Sequence, residues 1–148
     1  MKVSNKKIVA VLGGSNVDNL TYNKAYQVGK IIAEHGCILI CGGLGGVMEA
    51  SAKGAREVGG LTIGILPGID KEDANPFITI PIVTGMGNAR NIIIARTCDI
   101  AVAIDGKYGT LSEIAFCLKF GKPVLGIDTY NIEGVKTVSN VEDIAIFL

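Results

Sequence analysis

The chain has 148 residues, one domain's length and enough for a three-layer core, and its 49% apolar content excludes a disordered polymer. Fourteen basic residues balance fourteen acidic ones, so the basic surplus of a nucleic-acid protein is missing; its basic cluster is Lys2, Lys6 and Lys7. Lys6-Lys7 and the apolar run 8–12 are too short for a signal core or a membrane span, and Gly13-Gly14 interrupts them, so a cytoplasmic protein without membrane contact is expected.

In chain order, residues 7–12 read as a first strand and Gly13-Gly14-Ser15-Asn16 as the turn after it. Residues 21–35 carry Ala25, Val28, Gly29, Ile32 and Ala33 at helical spacing. Gly36 is the expected stop, and His35, the only histidine, sits where a helix dipole favours a cation. A second strand over 37–41 runs into Gly42-Gly43-Leu44-Gly45-Gly46, and a helix follows to Gly59-Gly60. Residues 61–66 form a third strand, 70–77 a surface loop, and 79–83 a fourth strand that Pro81 assigns to an edge or a bulge. Residues 86–97 read as one helix, apolar nearly all round (Ile92, Ile93, Ile94, Ala95), which suggests a subunit interface and a homodimer or higher oligomer.

Residues 100–104 are an unbroken apolar run, the pattern of a strand buried on both faces of a parallel sheet. Gly106 and Gly109 mark the next turn. Thr110-Leu111-Ser112-Glu113 then has the spacing of a capping box that opens a helix over 110–120. Strands over 124–127 and 135–138 and a terminal helix, opened by a second box at Ser139-Asn140-Val141-Glu142, complete the chain. The alternation predicts a single α/β domain over residues 1–148, a three-layer doubly wound parallel sheet (Rossmann-like) of six or seven strands.

Such a sheet binds ligands at the carboxyl ends of its strands. Three glycine-bearing turns fall there: Gly13, Gly14 and Ser15; Gly42, Gly43, Gly45 and Gly46, with Glu49 in the helix behind; and Gly106, Lys107 and Gly109, with Thr110. Glycine admits a ligand close to the backbone, and a helix N-terminus favours an anion. The same turns also serve simply to reverse the chain. The dinucleotide fingerprint and the Gly-Lys-Ser/Thr phosphate loop are both missing from this sequence. Arg90, beside Asn88, stands at a helix start where the dipole disfavours it, so a phosphate contact or an ion pair with Glu49 or Glu113 is expected to hold it. The four cysteines form no Cys-x-x-Cys pair and read as buried apolar residues; no metal site is expected.

Gly43-Leu44-Gly45-Gly46-Val47-Met48-Glu49-Ala50 resembles the Gly-Gly-x-x-Gly-x-Met segment of the LONELY GUY (LOG) and lysine-decarboxylase-like superfamily. Gly106-Lys107-Tyr108-Gly109-Thr110-Leu111-Ser112-Glu113 resembles its Pro-Gly-Gly-x-Gly-Thr-x-x-Glu signature, with Asp105 in place of the proline and Lys107 in place of the second glycine. Gly87-Asn88-Ala89-Arg90-Asn91 and Leu111-Ser112-Glu113-Ile114-Ala115 are most similar to the molybdenum cofactor carrier-like branch, a relative of DNA-processing protein A. For a carrier, the resemblance implies binding of a phosphorylated pterin or nucleotide without transforming it, so that no cofactor is required and the molybdenum cofactor is the cargo. For a LOG-type enzyme it implies hydrolysis of the N-glycosidic bond of a nucleoside 5′-monophosphate, with Arg90 and Glu113 catalytic. There a carboxylate would stabilise an oxocarbenium-like ribose. A single-stranded DNA module is the third reading, and balanced charge disfavours it.

Overall fold

A computed structural model describes residues 5–148, so Lys2 lies outside the described residues. Seven parallel strands form one sheet: β1 (Ile8–Gly13), β2 (Ile38–Cys41), β3 (Thr62–Leu66), β4 (Ile80–Val83), β5 (Ile100–Ile104), β6 (Val124–Ile127) and β7 (Val135–Thr137). Their order is β4-β3-β2-β1-β5-β6-β7. The chain winds outward from β1 to β4, then returns to place β5 on the other side of β1, paired from Val9–Ile100 to Gly13–Ile104. That reversal opens a crevice between the carboxyl ends of β1 and β5.

The strands are apolar because both faces are covered. Val9, Val11, Leu39, Val102 and Leu125 point to one side, against α1 (Asn19–Glu34) and α2 (Val47–Glu57). Ala10, Leu12, Ile40, Ala101 and Ala103 alternate to the other, against α3 (Asn91–Thr97) and α4 (Tyr108–Lys119). This is the expected three-layer, doubly wound fold. Pro81 lies in β4, which pairs with β3 alone and is an edge.

Several boundaries move. The first helix begins at Asn19 because Asp18 accepts the Thr21 N–H at 2.8 Å. His35 ends it, its Nδ1 2.8 Å from the Ile31 carbonyl. The expected helix over 86–97 is a 3-10 turn, Gly87–Arg90, followed by seven-residue α3. Ile94 and Ala95 are buried in the chain's own core and Ile92 and Ile93 are half-buried. The expected C-terminal helix is a 3-10 segment, Val141–Phe147, without a side-chain cap. All four cysteines are free and buried. Among the described residues, no helix is long and apolar enough to cross a membrane, and no His/Cys/Asp/Glu group could hold a metal ion.

α1 and α2 touch backbone to backbone through glycine. A Cβ on Gly29 would lie 1.8 Å from the Ser51 carbonyl oxygen, and one on Gly54 would lie 2.0 Å from that of Tyr26. Backbone cannot step aside as a side-chain tip can, so Gly29→Ala is expected to destabilise by about 3 kcal/mol or more in denaturant melts. Unchanged stability would mean that the helices separate freely.

Candidate functional site

The β1–β5 crevice holds a cavity of about 380 Å³. Gly13, Gly14, Ser15, Asn16 and Val17 of the first turn line one wall, and Gly42, Leu44 and Met48 come from the second turn and α2. The third turn and α4 supply Asp105, Gly106, Lys107, Gly109, Thr110 and Glu113; Asn88, Arg90 and Asn91 complete the lining. Sequence reasoning assigned no role to Asn16, Val17, Leu44, Met48, Asn91 and Asp105. Asn91 lies inside a motif and Asp105 is a departure from one; Leu44 and Met48 lie in the Gly-Gly-x-x-Gly-x-Met segment, Met48 as its methionine.

Gly43, Gly45, Gly46 and Glu49 do not line the cavity. Gly46 has φ +62°, and a Cβ there would meet the Gly14 carbonyl oxygen at 2.2 Å, while the Val47 N–H donates to that same oxygen at 3.0 Å. The glycine thus lets the second turn dock on the first. Glu49 accepts from the Tyr22 hydroxyl at 3.4 Å. Asn75 holds the Gly43 and Leu44 carbonyls through its N–H and Nδ2, at 2.9 and 2.8 Å.

Arg90 is only 6% exposed. Its Nε donates to the Ile65 carbonyl at 2.6 Å, Nη2 to the Gly42 carbonyl at 3.4 Å and Nη1 to Asn91 Oδ1 at 3.2 Å. Neither Glu49 nor Glu113 forms an ion pair with it among the described residues. Its placement at a helix start is tolerable because α3 is short and the side chain reaches carbonyls at the ends of β2 and β3 instead. Burial lowers the guanidinium pKa and Glu113 opposes the shift.

Thr110 is not the cap that the sequence suggests. Gly106, at φ +113°, lets the chain turn early, so α4 starts at Tyr108 with Lys107 as its N-cap and no side-chain cap bond. Leu111 N–H bonds to Lys107 O at 2.9 Å, and the preceding amides have no intrahelical acceptor. Thr110 is buried inside the first turn. Glu113, one turn further, therefore has no capping partner. It is 9% exposed, borders the cavity, and makes no side-chain hydrogen bond among the described residues. Burial pushes its pKa up to about 8, with Arg90 pulling the other way, so at neutral pH it is chiefly a neutral acid that can donate one hydrogen bond and accept others. Asp105 holds the rim at φ +50°, a conformation that aspartate tolerates better than most residues; Thr129 Oγ1 donates to its carbonyl at 2.7 Å.

The profile of the SLOG cluster4 family matches residues 6–146. The chain belongs to the SLOG cluster4 family. Similar to this member are a protein of Archaeoglobus fulgidus, 48% identical over 91% of this chain and 89% of the other, and a probable cytokinin riboside 5′-monophosphate phosphoribohydrolase of Oryza sativa subsp. japonica, 28% identical over 84% of this chain and 60% of the other. Among solved structures, the molybdenum cofactor binding protein of Rippkaea orientalis superposes with a TM-score of 0.91 at 35% identity, covering 97% of this chain and 95% of that one. The molybdenum cofactor carrier protein of Chlamydomonas reinhardtii gives 0.89 at 35% identity, covering 97% and 96%. The SLOG family placement fits the LOG-like superfamily suggested by the motifs, and the carrier structures share the three-layer fold.

Proposed function

We propose that the β1–β5 crevice binds a phosphorylated nucleotide- or pterin-type ligand and holds it without transforming it, with the molybdenum cofactor as the carried species. The observation that carries this reading is Glu113, a buried acid with no protein partner in a cavity beside Arg90. A neutral carboxyl complements an uncharged ligand edge bearing both a donor and an acceptor. The uncapped α4 N-terminus and Lys107 suit a phosphate that Arg90 also reaches, with Gly13, Gly14 and Ser15 lining the same cavity. Asn88 and the remaining N–H groups of Arg90 give further donors. The two carrier proteins of the same fold support the choice of cargo.

A LOG-type phosphoribohydrolase is the second reading, favoured by Arg90 and Glu113 lining one cavity and by the rice relative. There Glu113 must act as the carboxylate, which costs its deprotonation against burial. A cytoplasmic location accords with either reading. Self-association belongs to the same proposal, since Ile80, Ile82 and Val83 on edge strand β4 leave an apolar surface exposed.

The deciding experiment offers wild type and Glu113→Gln a panel of nucleoside 5′-monophosphates and the phosphorylated pterin cofactor, following binding by calorimetry and free base by chromatography. The carrier reading expects saturable binding by both proteins and no base release. Base release by wild type and not by Glu113→Gln would make the protein a hydrolase, and no binding of any of them would overturn both readings.

A further inference from the structure

We infer that Asn91 is a positioning residue, which fixes the guanidinium of Arg90 for the ligand by tying it to the first turns of α4 through Ser112. The inference rests on the binding reading above for its consequence, and on geometry alone for the tie itself. Asn91 Oδ1 accepts from Arg90 Nη1 at 3.2 Å, and its Nδ2 donates to Ser112 Oγ at 3.3 Å. Ser112 Oγ in turn donates to the Gly109 carbonyl at 2.7 Å. The direction of this chain is forced, because arginine has no acceptor and the serine proton is already committed to a carbonyl. Asn91 is 4% exposed and borders the cavity.

The two other bonds of Arg90 go to carbonyls of Ile65 and Gly42, on the β3 and β2 side of the crevice. Asn91 thus supplies the tie across the crevice toward the helix that carries Gly109, Thr110 and Glu113. Three of the five guanidinium protons are used, which leaves one on Nη1 and one on Nη2. Those two remain to donate to an oxyanion, and their direction depends on the plane that the three bonds set. Loss of Asn91 lets that plane swing without removing the charge.

The first test needs no ligand. Solvent exchange of the Arg90 Nε–H, followed by nitrogen-15 NMR, should quicken by about tenfold or more in Asn91→Ala and by less in Ser112→Ala, with the backbone spectrum otherwise retained. The second reads affinity for adenosine 5′-monophosphate: about tenfold weaker binding in Asn91→Ala, and no further loss when the substitution is made in an Arg90→Ala background. Unchanged Nε–H exchange overturns the inference, as does an equal loss of affinity in both backgrounds. If wild type binds neither the nucleotide nor the pterin, the binding reading fails while the exchange measurement still decides the role of Asn91. Should Asn91→Ala not fold, Ser112→Ala decides by the same readouts: faster Nε–H exchange supports the tie, and wild-type exchange overturns it.

Discussion

Glu113→Gln is expected to make the protein more stable than wild type at pH 8 and about equally stable near pH 4. In the folded protein burial holds the Glu113 pKa at about 8, whereas in the unfolded chain it returns to the ordinary value of 4.5. Between those values the unfolded chain releases a proton that the folded protein keeps. The stabilising preference for the protonated form is therefore complete below pH 4.5, shrinks as pH rises, and is lost once pH passes the folded value. One pKa unit corresponds to about 1.4 kcal/mol, so the wild type should lose on the order of 3–5 kcal/mol across that window, a loss that the glutamine variant avoids. Urea unfolding at pH 4, 6 and 8 measures it. A wild-type stability that does not fall with pH, together with a less stable glutamine variant, would mean that Glu113 is ionised and paired. The functional arm runs in parallel: ligand binding by wild type should weaken above pH 8 as a second negative charge develops near the phosphate, while that of Glu113→Gln should not. A hydrolase would instead gain rate as the carboxylate forms and lose base release in the glutamine variant.

Arg90→Ala should weaken binding of a nucleoside 5′-monophosphate by about 100-fold and leave binding of the free base unchanged, because two charge-assisted hydrogen bonds to the phosphate vanish. Calorimetry with adenosine 5′-monophosphate and adenine separates the cases; equal loss for both would point to a disordered crevice. Some stability goes too, since the Ile65 and Gly42 carbonyls lose their donor. The relief of burying a charge offsets part of that, so a net loss of about 1–3 kcal/mol is expected. Arg90→Lys keeps the charge but cannot reach three acceptors in one plane, and its affinity should fall between the two.

The outline of the fold was legible because strand burial writes itself into the sequence. Runs such as Ile100–Ile104 are apolar throughout only when both faces of a sheet are covered, and the alternation with helices then leaves few topologies. The crevice was legible for the same reason, since glycine turns at strand ends have to meet at one rim. Element starts were less legible. Asp18 caps α1 ahead of its apolar period, and the positive φ of Gly106 starts α4 before Thr110.

The sequence by itself determined the layered parallel sheet, the rim that carries the candidate site, and the family, because these depend on hydrophobic period and local turn chemistry. Only the tertiary structure decided which turn residues face the cavity. Gly46 and Gly14 lie far apart along the chain, and it is backbone contact between their turns that makes Gly46 a packing residue. Only the tertiary structure, too, buried Glu113 without a partner and set Arg90 on the carbonyls of Ile65 and Gly42. A side chain's partners and the water it loses are fixed by neighbours distant in sequence, and no local pattern records them.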